Sequence, residues 1–172
     1  MSYLEIRSTD LVEFMKCAKA YDIRSKRPAE VSSRALRIGL DVHKVLELSI
    51  NNARSLGLKV VSSDKFIEFA GHYASNLVTE QTDERTEMID ILRGMPPILF
   101  GTGDDFLLGQ PEKNWNLEVL PNVYVGSRFD LLRSTGAESI EVLDYKTGKY
   151  VKAHEEAWRD PQVGLYGWAA QQ

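Results

Sequence analysis

Ser139-Ile140-Glu141-Val142-Leu143-Asp144-Tyr145-Lys146-Thr147-Gly148 is the stretch on which the reading of this chain turns. Its first half is a strand-like run, and Asp144 and Lys146 stand two residues apart at its end. Alternate residues of a strand point to one face, so this carboxylate and this ammonium share a side. The carboxylate can hold a divalent cation, and the ammonium can sit beside it over the same phosphate. Fourteen residues before Asp144, a second apolar run, Val123 to Phe129, leads into Asp130. Two adjacent strands would then bring two carboxylates and a lysine to one point, which suits metal-assisted phosphodiester hydrolysis. A strand that merely runs into a charged turn yields the same tripeptide, and Thr147-Gly148 is ordinary turn chemistry. The residues that accompany the stretch therefore decide.

At 172 residues and 43% hydrophobic content the chain suffices for one domain with a proper core. The expected layout is a single domain over 1–172, with a helical half at about 8–94 and a catalytic meander and helix at about 115–172. No run of 18 apolar residues exists, so no membrane span is expected. The opening Met1-Ser2-Tyr3-Leu4-Glu5-Ile6-Arg7 lacks the basic-then-apolar form of a signal peptide. Cys17 is the sole cysteine, which excludes an internal disulfide and any all-cysteine metal site within one chain. A cytoplasmic location, in a bacterial or phage-infected cell, is the expectation. A net charge of −4 argues against a passive nucleic-acid coat protein but is compatible with acidic metal ligands. Arg24, Lys26, Arg27, Arg34 and Arg37 form a local basic cluster opposed only by Glu30. It reads equally as a solvated face and as phosphate contact.

Helical spacing dominates the first half. Ser8 or Thr9 can cap a helix with Leu11, Met15 and Ala18 in register and Phe14 and Tyr21 alongside. A longer helix is predicted from about Ser33 to Leu56, with Leu36, Leu40, Val42, Leu46 and Ile50 as its apolar set and Gly57 as a stop. A third would start near Ser63-Asp64 and bury Phe66, Ile67, Ala70, Tyr73, Ala74 and Leu77. A fourth covers roughly Thr82 to Arg93, ended by Gly94 and Pro96-Pro97. Trp115 to Leu120, Val123 to Leu132 and Ser139 to Tyr145 then read as an antiparallel meander, with turns at Pro121-Asn122 and Ser134-Thr135-Gly136. Ile98 to Leu108 would add a loop or edge element, and helical spacing returns from Glu155. The fold class is α+β, a mixed sheet containing the meander and flanked by helices.

Three further features carry chemistry. His43 lies within the long helix, one turn after Gly39 and one turn before Glu47. A helical glycine costs roughly 1 kcal/mol relative to alanine, so Gly39 points to a close approach by a backbone or a substrate. A neutral imidazole there can join two carboxylates on a metal. Glu118 sits on the polar face of its strand, where an acid needs no special reason. Gln162 and Tyr166, four residues apart, share one helix face. An amide and a phenol suit contact with phosphate, sugar or base, and they suit an amphipathic helix equally.

In order, Gly39-x-x-x-His43, Glu118, Gly126-x-x-x-Asp130, Asp144-Tyr145-Lys146-Thr147-Gly148 and Gln162-x-x-x-Tyr166 resemble the RecB-like branch of the PD-(D/E)XK nuclease superfamily. The resemblance runs from about Ser8 to Tyr166, and Phe14, Cys17 and Tyr21 in the opening helix belong to it. It implies a restriction-endonuclease-like core. It also implies that His43, Asp130, Asp144 and the carbonyl of Tyr145 hold Mg²⁺ or Mn²⁺. By the same likeness Lys146 would steady the charged transition state or position the attacking water. Gln162 and Tyr166 would hold the DNA strand, and Glu118 would lie near the metals, where it could help to bind a second one. The CRISPR adaptation nucleases and AddB-type subunits add an iron–sulfur cluster on one early and three late cysteines. No cysteine follows Tyr166 here, so no cluster is expected and Cys17 reads as a small buried hydrophobe. The chain runs six residues past Tyr166, where relatives usually continue in strand or helix.

The expectation is thus a metal-dependent DNA nuclease, best an exonuclease of repair or recombination. A recombination or helicase protein is its candidate partner. The alternative is a non-catalytic DNA-binding subunit that keeps the fold. A small-molecule or protein-binding domain using the meander as scaffold is the third reading.

Overall fold

The computed structural model describes residues 3–26, 33–77, 82–95, 105–135, 138–147 and 159–172. Among them, strands and helices follow as β1 (Leu4–Arg7), α1 (Ser8–Lys16), α2 (Ala18–Ser25), α3 (Arg34–Ser55), β2 (Val60–Ser62), α4 (Ser63–Leu77) and α5 (Thr82–Gly94). Then come β3 (Asp105–Leu107), β4 (Gln110–Leu120), β5 (Val123–Ser134), β6 (Ile140–Leu143) and a last helix, α6 (Pro161–Ala170). The chain forms two compact units. One comprises Met1–Val31, Lys113–Phe129 and Tyr150–Gln172, and the other Ser32–Glu112 and Asp130–Lys149. No helix among the described residues is long and apolar enough to cross a membrane.

The second of these units is built on α3. Its N-terminus is capped by Ser33, whose hydroxyl accepts the Leu36 amide at 3.2 Å, satisfying one of the orphan donors of a helix start. Along α3, Ile38, Val42, Val45, Leu46, Ile50 and Ala53 are buried against α4 and α5, which contribute Phe66, Phe69, Ala74, Met88 and Leu92. Burial of each large side chain is worth roughly 1.5–3 kcal/mol. Two expected core residues are corrected: Leu36 and Leu40 are 55% and 60% exposed. They form a second stripe, turned away from the face that α4 and α5 cover. On α4, Phe69 is buried while Ile67 and Leu77 remain over a third exposed. Arg34 pairs with Glu87 at 2.8 Å and Arg37 with Glu84 at 2.6 Å, linking α3 to α5.

In the same unit β2 and β3 pair antiparallel, Val60 opposite Leu107. Of the expected edge element the described residues carry β3; Pro96-Pro97 and Gly101-Thr102-Gly103 lie outside the described residues. The second half of β5 pairs antiparallel with β6, Leu131 opposite Leu143 and Ser134 opposite Ile140. β4 begins five residues earlier than the predicted Trp115, at Gln110. Just before it, a Cβ on Gly109 would run into the carbonyl oxygen of Leu132. Only glycine lets the chain enter the sheet there.

The other unit holds a feature the periodicity did not suggest. β1 pairs in parallel with the first half of β5, from Leu4 opposite Val123 to Arg7 opposite Gly126. The sheet is therefore mixed, as the expected fold class has it, and β1 supplies its parallel pairing. The single opening helix is also corrected. It breaks at Cys17, whose φ of −164° and ψ of 102° are extended. The Cys17 amide closes α1 on the Glu13 carbonyl at 3.1 Å, and its own carbonyl accepts the Tyr21 amide at 3.0 Å to open α2. The break folds α2 back, so that Arg24 pairs with Glu13 and the rings of Phe14 and Tyr21 meet edge to face at 6.0 Å. Eleven residues of straight helix would hold Glu13 and Arg24 about 16 Å apart. Cys17 is exposed at this corner and is not the buried hydrophobe expected. The expected Ser8 or Thr9 cap is not formed either. Arg7 occupies the cap position, and Ser8 is fully buried as the first helical residue.

α6 starts with Asp160 accepting the Gln162 amide at 2.9 Å and Pro161 in the first turn. It packs on α1. Trp115, Phe129 and Tyr166 form an aromatic cluster with centroids 5.4–6.4 Å apart, and Val12, Val125 and Ala169 of the same unit are buried.

Candidate active site

The chemistry anticipated from the sequence gathers in the unit that contains α3, the far end of β5 and the segment after β6. Asp130 is carried past Phe129 by β5, and Asp144 to Thr147 follow β6. His43 projects from the middle of α3, its ring half-buried, with Nδ1 3.4 Å from Asp130 Oδ1. Residues 87 apart in sequence thereby meet. The other ring nitrogen, Nε2, donates to the carbonyl oxygen of Tyr145 at 3.1 Å. Tyr145 donates its amide in turn to Asp130 Oδ2 at 2.6 Å. One peptide segment thus orients both the histidine and the aspartate. Lys146 Nζ lies 2.5 Å from Asp144 Oδ2, with the lysine side chain 61% exposed.

Gly39 has the close neighbour that its place in a helix suggested. A Cβ there would stand 2.9 Å from Thr147 Oγ1. The glycine lets the segment after β6 lie against α3, which brings Tyr145 to His43 one turn further on. Gly148 lies outside the described residues.

A residue that sequence reasoning missed completes the group. Glu112 Oε1 is 4.0 Å from His43 Nδ1. One atom each of His43, Glu112 and Asp130 lie within 4.8 Å of one another, and all three residues are half-buried. Glu112 has a φ of 52°, in the left-handed region that a bulky L-residue rarely adopts. That turn of the backbone re-aims its side chain at the start of β4. The available signal was Gly109-Gln110-Pro111, a glycine and a proline flanking the strand start just before an acid.

The electrostatics fit a cation. With Nε2 donating to Tyr145, the Nδ1 lone pair of a neutral His43 points toward two carboxylates, an arrangement that calls for a positive species between them. The hydrogen bond to Asp130 pushes the His43 pKa up, burial opposes this, and the Asp130 and Glu112 charges and the Tyr145 carbonyl add to the rise. Burial pushes the Asp144 carboxyl up as well; Lys146 works against it, while the Asp130 charge reinforces it. Burial also raises the Tyr145 phenol. One imidazole nitrogen and two carboxylates make a donor set suited to a divalent cation, while the Tyr145 carbonyl holds the far ring nitrogen and so fixes the ring.

Glu118, Gln162 and Tyr166 lie in the other unit. Glu118 turns to the β4–β5 connection, where its Oε1 accepts the amide of Asn122 at 2.9 Å. Tyr166 is buried in the aromatic cluster; its hydroxyl accepts from Gln162 Nε2 at 2.7 Å and donates to the Arg128 carbonyl at 3.4 Å. The basic cluster is largely engaged in ion pairs. Arg24 meets Glu13, Lys26 meets Asp22 at 2.6 Å, and Arg34 and Arg37 meet α5; Arg27 lies outside the described residues.

Neither the curated proteins nor the solved structures give a match to this chain. A family model described as the PD-(D/E)XK nuclease superfamily matches residues 8–172. Members of that superfamily are generally nucleases that use divalent metals, and their restriction-endonuclease-like fold agrees with the mixed sheet and its flanking helices. The match takes in the strand ends that carry Asp130, Asp144 and Lys146 along with nearly all the rest of the sequence, and on that extent the chain belongs to the PD-(D/E)XK nuclease superfamily.

Proposed function

We propose that this chain is a metal-dependent DNA nuclease of the RecB-like branch, an exonuclease of DNA repair or recombination in the cytoplasm of a bacterial or phage-infected cell. The observation that carries the reading is the convergence of His43, Glu112 and Asp130 within 4.8 Å, beside an Asp144–Lys146 pair. Mg²⁺ or Mn²⁺ suits these donors, and when bound it would acidify a water and polarise the phosphoryl oxygen.

The chain's own residues do the rest. A neutral His43 would offer its Nδ1 lone pair to the ion, while its Nε2 proton stays hydrogen-bonded to the Tyr145 carbonyl. The Tyr145 amide fixes the carboxylate of Asp130 so that one oxygen faces the histidine. Asp144 would add a further carboxylate to the ion, and Lys146, mostly exposed, can swing from it to the scissile phosphate where negative charge develops. The supporting acidic role that the resemblance gives to Glu118 we assign to Glu112. Gln162 and Tyr166 are proposed to engage the strand as a pair, the buried phenol holding the amide in place. DNA is the substrate, and a recombination or helicase protein is the candidate partner.

Linear and circular DNA incubated with Mg²⁺, Mn²⁺ or EDTA test the reading. Metal-dependent loss of linear DNA with circles spared is the expected result. Cleavage of circles makes the protein an endonuclease. Metal-independent DNA binding without any cleavage favours the non-catalytic subunit.

A further inference from the structure

In the unit that contains β1 and the first half of β5, the paired strands divide their side chains between two faces. Ile6 lies level with buried Val125. Glu5 and Arg7 lie level with Tyr124 and Gly126, and so on the opposite face, which Arg128 continues two residues further along. A cleft of about 470 Å³ opens on that face, lined by Arg7, Arg128, Asn114, Asn116 and Ser127 with Glu5 among them. A second, of about 340 Å³, is lined by Tyr3, Asn116, Asn122 and Tyr124. Asn116 is common to both. Its Oδ1 would lie 3.2 Å from a Cβ on Gly126, so the carboxamide reaches across the glycine.

We propose that this sheet face binds single-stranded DNA, with Arg7 and Arg128 on backbone phosphates and Tyr3 and Tyr124 stacked on bases. Tyr3 is 66% exposed and meets Tyr124 edge to face at 5.9 Å, which leaves ring surface open to a base. Stacking is available to every base, and a groove that adds cationic side chains to aromatic ones suits single strands. Duplex DNA hides its base faces and would leave these rings unused. Among the residues lining the two clefts, two arginines stand against one acid, three are asparagines, and Trp115, Tyr3 and Tyr124 supply aromatic surface, a combination that suits a polyanion carrying stackable bases. Arg7 is held by Asp10 at 3.0 Å, but its side chain is 79% exposed, and such a pair yields readily to a phosphate.

The inference rests on the nuclease reading for the class of ligand, and its test separates the two. Fluorescein-labelled oligothymidylate is titrated with the full chain in EDTA, where metal-dependent cleavage cannot occur, and binding is read by anisotropy over a range of salt. The wild type should bind. Tyr3→Ala, at an exposed position, should weaken binding about fivefold or more. Arg7→Gln with Arg128→Gln should flatten the plot of log affinity against log salt by about 0.7 for each phosphate left without its arginine. Thermal melts confirm that the variants fold. Unchanged affinity and slope in these variants, tighter binding of a duplex of equal length, or no binding by the wild type overturns the proposal. Cleavage assays with Mn²⁺ run in parallel. Cleavage without oligothymidylate binding removes the face and leaves the nuclease, whereas variant-sensitive binding without cleavage removes the nuclease and leaves the face.

Discussion

Replacing Glu112 with glycine should separate what this residue costs the fold from what it gives the cation. Its φ of 52° is a left-handed conformation, worth roughly 1–2 kcal/mol of strain for an L-residue. Glycine removes that strain but adds about 0.5–1 kcal/mol of chain entropy. The metal-free variant should therefore be as stable as the wild type, or up to about 1.5 kcal/mol more so. In a chain of 172 residues 1 kcal/mol moves Tm by about 2–4 °C, so in EDTA its Tm should lie between the wild-type value and about 6 °C above it. With Mn²⁺ the gap closes, and it reverses when the loss of affinity reaches about a hundredfold. At a hundredfold excess over Kd the wild type gains about 2.7 kcal/mol, or roughly 5–11 °C. Losing one of the three clustered donors should weaken affinity by at least the 10–100-fold that outer-shell partners cost. At the hundredfold end, the same Mn²⁺ concentration leaves the variant about 0.4 kcal/mol. Calorimetric or fluorescence melts over a Mn²⁺ titration read both quantities. A variant that keeps the full metal-dependent rise would show that Glu112 is no ligand, and a fall of more than about 4 °C in EDTA would show that its backbone is not strained.

The other predictions are shorter. His43 and Asp144 both have raised pKa values, so each holds its proton more tightly folded than unfolded. Their contribution in the metal-free protein is present below their unfolded values and is lost as pH rises through their folded ones, so Tm in EDTA should fall across that window. Mn²⁺ displaces the His43 proton and should stabilise more strongly as pH rises; melts over a pH series decide, and a pH-independent metal effect would count against His43 as a ligand. Lys146→Ala should lower cleavage by about 10²–10³ while metal-induced stabilisation persists. It also removes the charge that works against the raised Asp144 pKa, so residual activity should need higher pH. Gly39→Ala would gain about 1 kcal/mol of helix propensity but crowd Thr147 at 2.9 Å. Its Tm should stay within a few degrees while cleavage drops, and adding Thr147→Ala should restore cleavage.

Local signals were legible and long-range ones were not. Ser33 and the apolar spacing of α3 gave that helix its bounds, and period-two alternation gave β5 its direction toward Asp130. The apolar set of α3 includes Leu36 and Leu40 by spacing alone because one helix carries two apolar stripes, and only the presence of α4 and α5 decides which is covered. β1 is four residues long, and its parallel pairing joins segments more than a hundred residues apart, which periodicity cannot register. The break at Cys17 leaves the spacing of Phe14 and Tyr21 intact, so a straight helix and a folded-back pair look alike in sequence. Within the site, His43, Asp130, Asp144 and Lys146 were accessible because each follows a glycine or a strand end at fixed spacing. Glu112 depends on a backbone angle that no spacing reveals.

The two hydrogen bonds of Tyr145 with His43 and Asp130 are made by its peptide groups, while its ring meets the His43 ring edge to face at 5.5 Å. Alanine scanning is blind to both. A survey of substitutions at position 145 would report only how well the buried ring and its edge-to-face contact with His43 are replaced, and would miss the two peptide links. Sequence drift at this position could likewise exchange the ring while the links to His43 and Asp130 persist unchanged. Backbone chemistry is the way to reach them: an amide-to-ester replacement at position 145 deletes the donor to Asp130, and one at position 146 weakens the carbonyl that His43 uses, each with the genetic alphabet otherwise untouched.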